Sequence, residues 1–316
     1  MFFSIIIPVY NRPDEIEELL ASLTQQNYPN FEVLVVEDGS QKTCAHVIEA
    51  FRETLNIQYY FKPNTGAGDS RNYGFERAKG DFFIVFDSDC LIPPDYLRLV
   101  AAALQQENVD AYGGPDAADE HFSPIQKAIN YTMTSFLTTG GIRGRKKMLG
   151  KYQARSFNMG ISRKVYEQIG GFSHLRVSED IELSIRINKA GFSLVLLPEA
   201  YVFHKRRSTF GQFFKQTHNF GGGRAHINRL FPEERKWVHF FPSLFVLFCI
   251  AILVSFFIHW VLFALSFTAL LGYVLAIFLH SSWLNGSIQV GFLSVFALFV
   301  QMMGYGTGFL RKYLFS

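Results

Sequence analysis

Cysteine is scarce. The 316 residues hold three, Cys44, Cys90 and Cys249, far apart and with no Cys-x-x-Cys pair. That argues against a disulfide framework or a zinc site and points to a reducing compartment. Acidic residues are missing from Phe241 to Ser316, where Arg311 and Lys312 are the only charges. A strong charge of either sign is also missing, since 30 Lys+Arg stand against 27 Asp+Glu. A near-neutral body lacks the concentrated basic stripe that nucleic-acid binding requires. No Walker phosphate loop occurs: Gly221-Gly222-Gly223-Arg224 and Lys79-Gly80 lack its spacing. No internal repeat is found. Phe2–Val9 is apolar, but Pro8 and Asn11 close it after one strand length, too short for a secretory signal. The body is therefore expected to stay in the cytosol.

What is present divides the chain. Residues before Phe241 contain all 27 acids and read as a water-soluble body. The acid-free remainder reads as membrane. Phe240–Leu279 is almost continuously apolar, and as one helix would run about 60 Å, roughly twice a hydrocarbon core. A bend is expected near His259–Trp260. Ile288–Leu310 is a further apolar run, ending in Gly304, Gly306 and Gly308. The expected domains are 1–236 as a cytosolic catalytic body and 237–316 as a membrane segment, with helices near 241–258, 260–279 and 288–310. Lys205, Arg206, Arg207, Arg224, Arg229, Arg235 and Lys236 precede the first span and hold the body inside. Three spans would put Arg311 and Lys312 outside, whereas two spans plus an interfacial segment would keep them inside. Three is the simple count.

The body alternates strands and helices. Phe3–Val9, Phe31–Val36, Ile57–Phe61 and Phe82–Phe86 are apolar runs without alternation, as expected for strands covered on both faces. Pro13 opens a helix carrying Ile16, Leu19, Leu20 and Leu23. Ser40 is expected to cap a helix over roughly Thr43–Leu55, and Asp69 or Ser70 one through Ala78. Further helices are expected at Ser123–Thr139 and Glu179–Ala190, a strand at Ser193–Leu197, and a basic, glycine-rich loop at Gly140–Lys151. This order predicts an α/β fold with a mainly parallel sheet and helices on both faces. Ligands of such sheets sit beyond the carboxyl ends of the strands. The polar motifs lie there: Tyr10-Asn11, Glu37–Ser40, Asn64–Gly66 and Asp87–Asp89.

Asp87-Ser88-Asp89 offers two carboxylates at a strand end, a hard-oxygen site suited to Mg²⁺ or Mn²⁺ bridging to a diphosphate. Any acidic turn matches Asp-x-Asp; the place after a buried strand gives it weight. Asp38 can cap a helix or accept a hydrogen bond from a base N–H. Arg71, in a first helical turn, can bind phosphate oxygens. Glu179 and Asp180 open a helix, where the macrodipole favours acids; one of them can instead act as a general base. His204 ends a short strand and is a candidate further metal ligand.

In order and spacing, Ser4–Asn11, Glu37–Ser40, Asn64-Thr65-Gly66, Ser70–Gly74, Asp87–Asp89, Asn158-Met159-Gly160, Gly170-Gly171-Phe172 and Glu179-Asp180 resemble the family 2 inverting glycosyltransferases with the GT-A fold. The resemblance covers roughly 1–210. It implies a nucleotide-diphospho-sugar donor, UDP-sugar favoured, and a divalent metal, Mn²⁺ or Mg²⁺. It implies that Asp180 is the catalytic base with Glu179 its neighbour or alternative. Pro8, Tyr10, Asp38, Asn64, Arg71, Asp87 and Ser88 would bind the donor, and Asp89, Asp87 and His204 the metal. Glu37 stands where many members have a second Asp, which leaves the nucleoside open. No Gln-x-x-Arg-Trp motif occurs, which argues against a processive synthase. The expected function is a multi-pass enzyme of the cell inner membrane that glycosylates a hydroxyl of a lipid-linked or polysaccharide acceptor. Transfer onto a polyprenyl phosphate and a catalytically silent membrane scaffold are the alternatives.

Overall fold

The computed structural model describes residues 1–106, 108–117, 122–139 and 151–315. In chain order the elements are β1 (Phe3–Val9), α1 (Pro13–Leu23), β2 (Phe31–Asp38), α2 (Ala45–Phe51), β3 (Ile57–Lys62), α3 (Ala67–Phe75), β4 (Phe82–Phe86) and β5 (Cys90–Leu91). Next come α4 (Tyr96–Gln106), β6 (Ala111–Gly113), β7 (Asp116–Ala117), α5 (Pro124–Thr134), α6 (Phe136–Thr139), β8 (Asn158–Ser162), α7 (Arg163–Ile169) and α8 (Glu179–Lys189). The chain continues through β9 (Leu194–Leu196), β10 (Val202–His204), α9 (Phe210–Leu230), α10 (Phe241–Ile258), α11 (Trp260–Asn285) and α12 (Ile288–Phe315). Two compact units result. One contains the described residues of Met1–Asp119 and Lys146–Lys205, the other those of Glu120–Arg145 and Arg206–Ser316.

The first unit is built on a seven-stranded sheet of order β3-β2-β1-β4-β8-β6-β9. β1 pairs in parallel with β2 and β4, and β2 with β3. β8 runs antiparallel to both of its neighbours, so the sheet is mixed, with parallel pairing elsewhere. β1 alternates its side chains. Ile5, Ile7 and Val9 join α1, α2 and α4 in one core, while Ile6 meets Leu34, Phe83, Phe75 and Leu183 in the other. Two buried faces explain the unbroken apolar runs of β1, β2 and β4. A smaller sheet has the order β5-β10-β7, with β10 antiparallel to β5 and parallel to β7.

Parallel register brings the motif-bearing ends together. Val9 pairs with Glu37 and Asp38 with Lys62, so the turns after β1, β2 and β3 leave one edge of the sheet. Two expected caps differ. Ser40 does not cap α2, which starts after Cys44; its Oγ accepts from Asn11 N at 2.8 Å. α3 starts directly after Gly66, so Asp69 and Ser70 lie inside its first turn. Gly66 has φ 105°, which only glycine adopts easily, and that turn fixes the start of α3.

In the second unit, Ser123 Oγ accepts from Gln126 N in a capping box that starts α5, and the expected helix breaks at Ser135. Residues 140–150 of the expected basic loop lie outside the described residues. The long apolar run breaks at His259, whose Nδ1 accepts from Leu262 N at 3.3 Å and caps α11. α10, α11 and α12 are each long and apolar enough to cross a membrane. α9 and α12 pack closely. A Cβ on Gly304 would stand 2.1 Å from Thr217 Oγ1, and one on Gly308 2.1 Å from the His218 carbonyl.

Candidate active site

At the end of β2, Asp38 is nearly fully buried. Its Oδ1 accepts from Thr65 N (3.0 Å) and from Lys62 Nζ, and its Oδ2 from Gly66 N (2.9 Å). Lys62 Nζ also donates to Thr65 Oγ1 (2.6 Å) and to the Pro63 carbonyl (3.1 Å). Burial pushes the Asp38 carboxyl up, but Lys62 and the two backbone N–H groups outweigh it and hold it below the usual range. Asn64 Nδ2 donates to the Asp38 carbonyl at 2.9 Å. Gly39 makes room for this loop, because a Cβ there would lie 2.6 Å from Asn64 N. Glu37 points the other way, as strand alternation demands. It is fully buried and accepts from Cys44 N, Cys44 Sγ and Tyr59 Oη.

Pro8 is buried within β1, and Tyr10 stands exposed at its end. Asn11 has φ 55°, and its Oδ1 accepts from Gln41 N and Lys42 N, binding the first two strand-end turns together.

Arg71 lies on α3 and is only 2% exposed. Its Nη1 donates to Glu179 Oε1 at 2.8 Å and its Nη2 to Asp87 Oδ1 at 2.7 Å. The guanidinium lies over the Phe172 ring, 5.1 Å from its centroid. Both terminal nitrogens are thus held by carboxylates. Burial pushes the Glu179 carboxyl up to about 7, with Arg71 opposing and the neighbouring Asp180 reinforcing. Asp180 follows in the first turn of α8. Its Oδ1 accepts from Ile181 N (2.8 Å) and its Oδ2 from Ser156 N (3.4 Å), with Arg155 Nη1 3.9 Å away. Ser178, immediately before this pair, has φ 67°, a strained backbone of the kind found at functional sites.

Past Asp87, Ser88 and Asp89 are both buried. Asp89 Oδ2 lies 3.0 Å from Arg12 Nη1, and Oδ1 lies 3.1 Å from His204 Nε2. His204 stacks on Phe157, ring centroids 4.7 Å apart, which fixes its ring. Among the described residues, Asp89, Cys90 and His204 form a cluster whose donor atoms all lie within 4.8 Å of one another. Burial and the adjacent acids raise the Cys90 thiol well above its ordinary range, so it stays protonated. A carboxylate and an imidazole at this separation fit a divalent first-row metal.

Of the predicted residues, Asp38, Arg71, Asp87, Glu179 and Asp180 lie along one chain of contacts, and Asp89 with His204 form a separate pair beside Arg12. Asp38 fixes the turn that opens α3, α3 carries Arg71, and Arg71 joins Asp87 to Glu179 beside Asp180. Between Asn64–Asp69 and Ser173–Arg176 lies a cavity of about 160 Å³. Two residues here went unread in the sequence, Lys62 and Arg12. Lys62 could have been found from strand register, since it pairs with Asp38. Arg12 carried no signal beyond its place before α1.

A family model described as glycosyl transferase family 2 matches residues 4–170. That is more than half of the chain, and the chain belongs to this family of glycosyltransferases. Glycosyltransferase AglE of Haloferax volcanii is 27% identical over 231 residues, covering 72% of this chain and 74% of that one. The poly(ribitol-phosphate) β-N-acetylglucosaminyltransferase TarS of Staphylococcus aureus is 37% identical over 114 residues, 35% of this chain but 20% of its own length. Among solved structures, the mannosyltransferase PcManGT of Pyrobaculum calidifontis, in complex with GDP-Man and Mn²⁺, superposes with a TM-score of 0.62 at 15% identity, covering 99% of this chain and 87% of that one. S. aureus TarS 1–349 in complex with UDP-GlcNAc gives 0.51 at 17% identity, covering 98% and 91%. The fold is of the GT-A type, followed by the three apolar helices.

Proposed function

We propose that the protein is a membrane-anchored inverting glycosyltransferase that moves a sugar from a nucleotide-diphospho-sugar to a hydroxyl of a lipid-linked or polysaccharide acceptor. The observation that carries this reading is the Arg71 clamp, which seats the Asp87 and Glu179 carboxylates beside Asp180. Asp180 takes the acceptor proton as the hydroxyl attacks the anomeric carbon from the face opposite the diphosphate. Asp89 and His204 would hold a divalent cation, Mn²⁺ or Mg²⁺, with the carboxylate as the hard oxygen ligand that both ions favour. The ion, when bound, neutralises charge on the departing diphosphate. Pro8 and Tyr10 line the nucleoside pocket. An ionised carboxylate offers about four acceptor positions, and three on Asp38 are taken. The one left matches the single ring N–H of uracil better than the paired donors of guanine, which supports a UDP-sugar over a GDP-sugar. Residues 1–236 form the catalytic part on the cytoplasmic side of the cell inner membrane, and 237–316 the multi-pass anchor.

The test combines a donor panel with one variant. Purified protein with Mn²⁺ is expected to release UDP from one of several UDP-sugars in preference to GDP-sugars, with TDP-sugars, whose thymine carries the same ring N–H, run beside them. Asp180→Asn is expected to lose about 10²–10⁴-fold in turnover with donor binding unchanged. A second reading, transfer onto a polyprenyl phosphate, is favoured by Arg155, whose guanidinium lies 3.9 Å from Asp180 and would attract an anionic acceptor. That nucleophile is already ionised, so retained activity in Asp180→Asn would select it. Absence of nucleotide-sugar binding with Mn²⁺ present would reject both.

A further inference from the structure

The second unit contains three helices suited to lipid, yet they are not equivalent. α12 runs alongside α9 in the same direction. Phe210 meets Phe296, Thr217 meets Gly304, His218 Nδ1 lies 3.3 Å from Thr307 Oγ1, and Arg229 Nη2 donates to the Tyr313 carbonyl at 2.6 Å. α9 is a polar helix. It carries Lys215, Arg224, Arg229, His218, His226 and several amides, with Gln212 and Lys215 exposed. Near the start of α12, Val290 and Ala297 pack with Phe213 of α9 and with Ala128, Ile129 and Met133 of α5. If α12 crossed the hydrocarbon core, α9 would cross beside it, taking the exposed Lys215, the buried Arg224 and the half-buried Arg229 into lipid. That is costly.

α10 and α11 behave differently. Most of their apolar side chains are exposed, and no charged residue lies between Phe241 and Ser287. The chain has three tryptophans, and all are strongly exposed: Trp237 (84%), Trp260 (75%) and Trp283 (78%). Trp260 lies twenty-three positions after Trp237, and Trp283 twenty-three positions after Trp260. Within α11 the second interval rises about 34 Å, and the 18 residues of α10 between the first two tryptophans rise about 27 Å, both close to the roughly 30 Å hydrocarbon core. Tryptophan favours those borders. The polar residues of α11 are concentrated toward its end, where Ser281 bonds Ser294 of α12 and His280 bonds Tyr131 of α5.

We infer that α10 and α11 form a two-pass hairpin through the bilayer with His259 at its far turn, while α12 stays on the side of α9 as a docked interfacial helix. Every charged residue of the second unit among those described then lies on one side. Arg311 and Lys312 join Arg235 and Lys236 there, as the distribution of basic residues in membrane proteins favours. Phe292 and Phe296 remain on the outer surface of α12 to face the lipid border.

This inference rests on the membrane reading above, and the two fail separately. Full-length protein that alkaline carbonate removes from membranes would reject the membrane reading. For protein that stays, Gln212→Cys, Ile258→Cys and Phe315→Cys are made singly in a Cys249→Ser background, where the fully buried Cys44 and Cys90 stay silent. An impermeant maleimide is applied to sealed vesicles of each orientation. Gln212→Cys and Phe315→Cys are expected to label from the same side and Ile258→Cys from the other. Phe315→Cys labelling with Ile258→Cys would establish three crossings and overturn the inference. Ile258→Cys labelling with Gln212→Cys, or from neither side, would also overturn it. A reporter that matures only in the cytosol, fused after the unsubstituted chain or before it, is expected to give the same result at both ends. Opposite results would again overturn the hairpin.

Discussion

Replacing Arg71 by Met removes the one cation that the Asp87 and Glu179 carboxylates share, with little loss of side-chain volume. Deleting one partner of a buried ion pair costs about 3–5 kcal/mol. At about 2–4 °C per kcal/mol for a body of this size, the melting temperature should fall by about 6–20 °C. The loss should depend on pH, with a sign that can be worked out. The Glu179 carboxyl is pushed up to about 7 in the folded protein, so between its ordinary pKa and 7 the native state binds more protons than the unfolded state. Stability therefore declines as pH rises through that window, by about 3 kcal/mol at most, and levels off above it. Without Arg71 the pull toward ionisation is gone and the window extends upward. The variant should thus be much weaker at pH 8 than at pH 5.5. Adding Glu179→Gln should return most of the lost stability, because the stranded charge is what is expensive. Thermal unfolding of the full-length protein, followed by intrinsic fluorescence at both pH values, measures all of this. A fall under about 2 °C, equal falls at the two pH values, or a double variant no better than Arg71→Met would refute the reasoning.

Other outcomes follow from the same geometry. Asp89→Ala should abolish Mn²⁺ binding read by the electron paramagnetic resonance of free Mn²⁺, and His204→Ala should weaken it; unchanged binding in both would remove the ion from this corner. Lys62→Met should raise the donor KM about tenfold or more, since a hydrogen bond to a charged group contributes about 1.5–3 kcal/mol. It should also change the acid limb of stability. Asp38, held low when folded, stabilises the protein above its ordinary pKa and loses that as pH falls through the folded value, and Lys62→Met should shrink the effect. Gly308→Leu should lower thermal stability by about 1–3 kcal/mol through the clash with the His218 carbonyl, whereas a melting point unmoved would mean that α9 and α12 can part at no cost.

Local patterns carried much of the fold. β1 and β4 follow the apolar runs residue for residue, and α8 begins at Glu179 as its acidic first turn indicates. The motifs at the ends of β1, β2, β3 and β4 share one edge of the sheet because those strands run in one direction. What stayed hidden depends on contacts distant in sequence. Nothing in Asn158–Ser162 reveals that it inserts antiparallel between β4 and β6, or that the buried Asn158 side chain donates to the Ala200 carbonyl rather than facing a ligand. α3 starts directly after Gly66 rather than after a polar cap, where Asp38, on another strand, accepts from the Gly66 N–H. Arg71 read as a phosphate ligand from its helix alone; its two carboxylate partners lie 16 and 108 residues away.

Because one guanidinium spans the ends of β4 and α8, the spacing between two acidic motifs is set by a side chain and not by the polypeptide that separates them. Segments between those motifs can lengthen, shorten or change character without altering how the two carboxyls face each other. A lineage could thus redesign what it glycosylates while the sugar-transferring core keeps its dimensions.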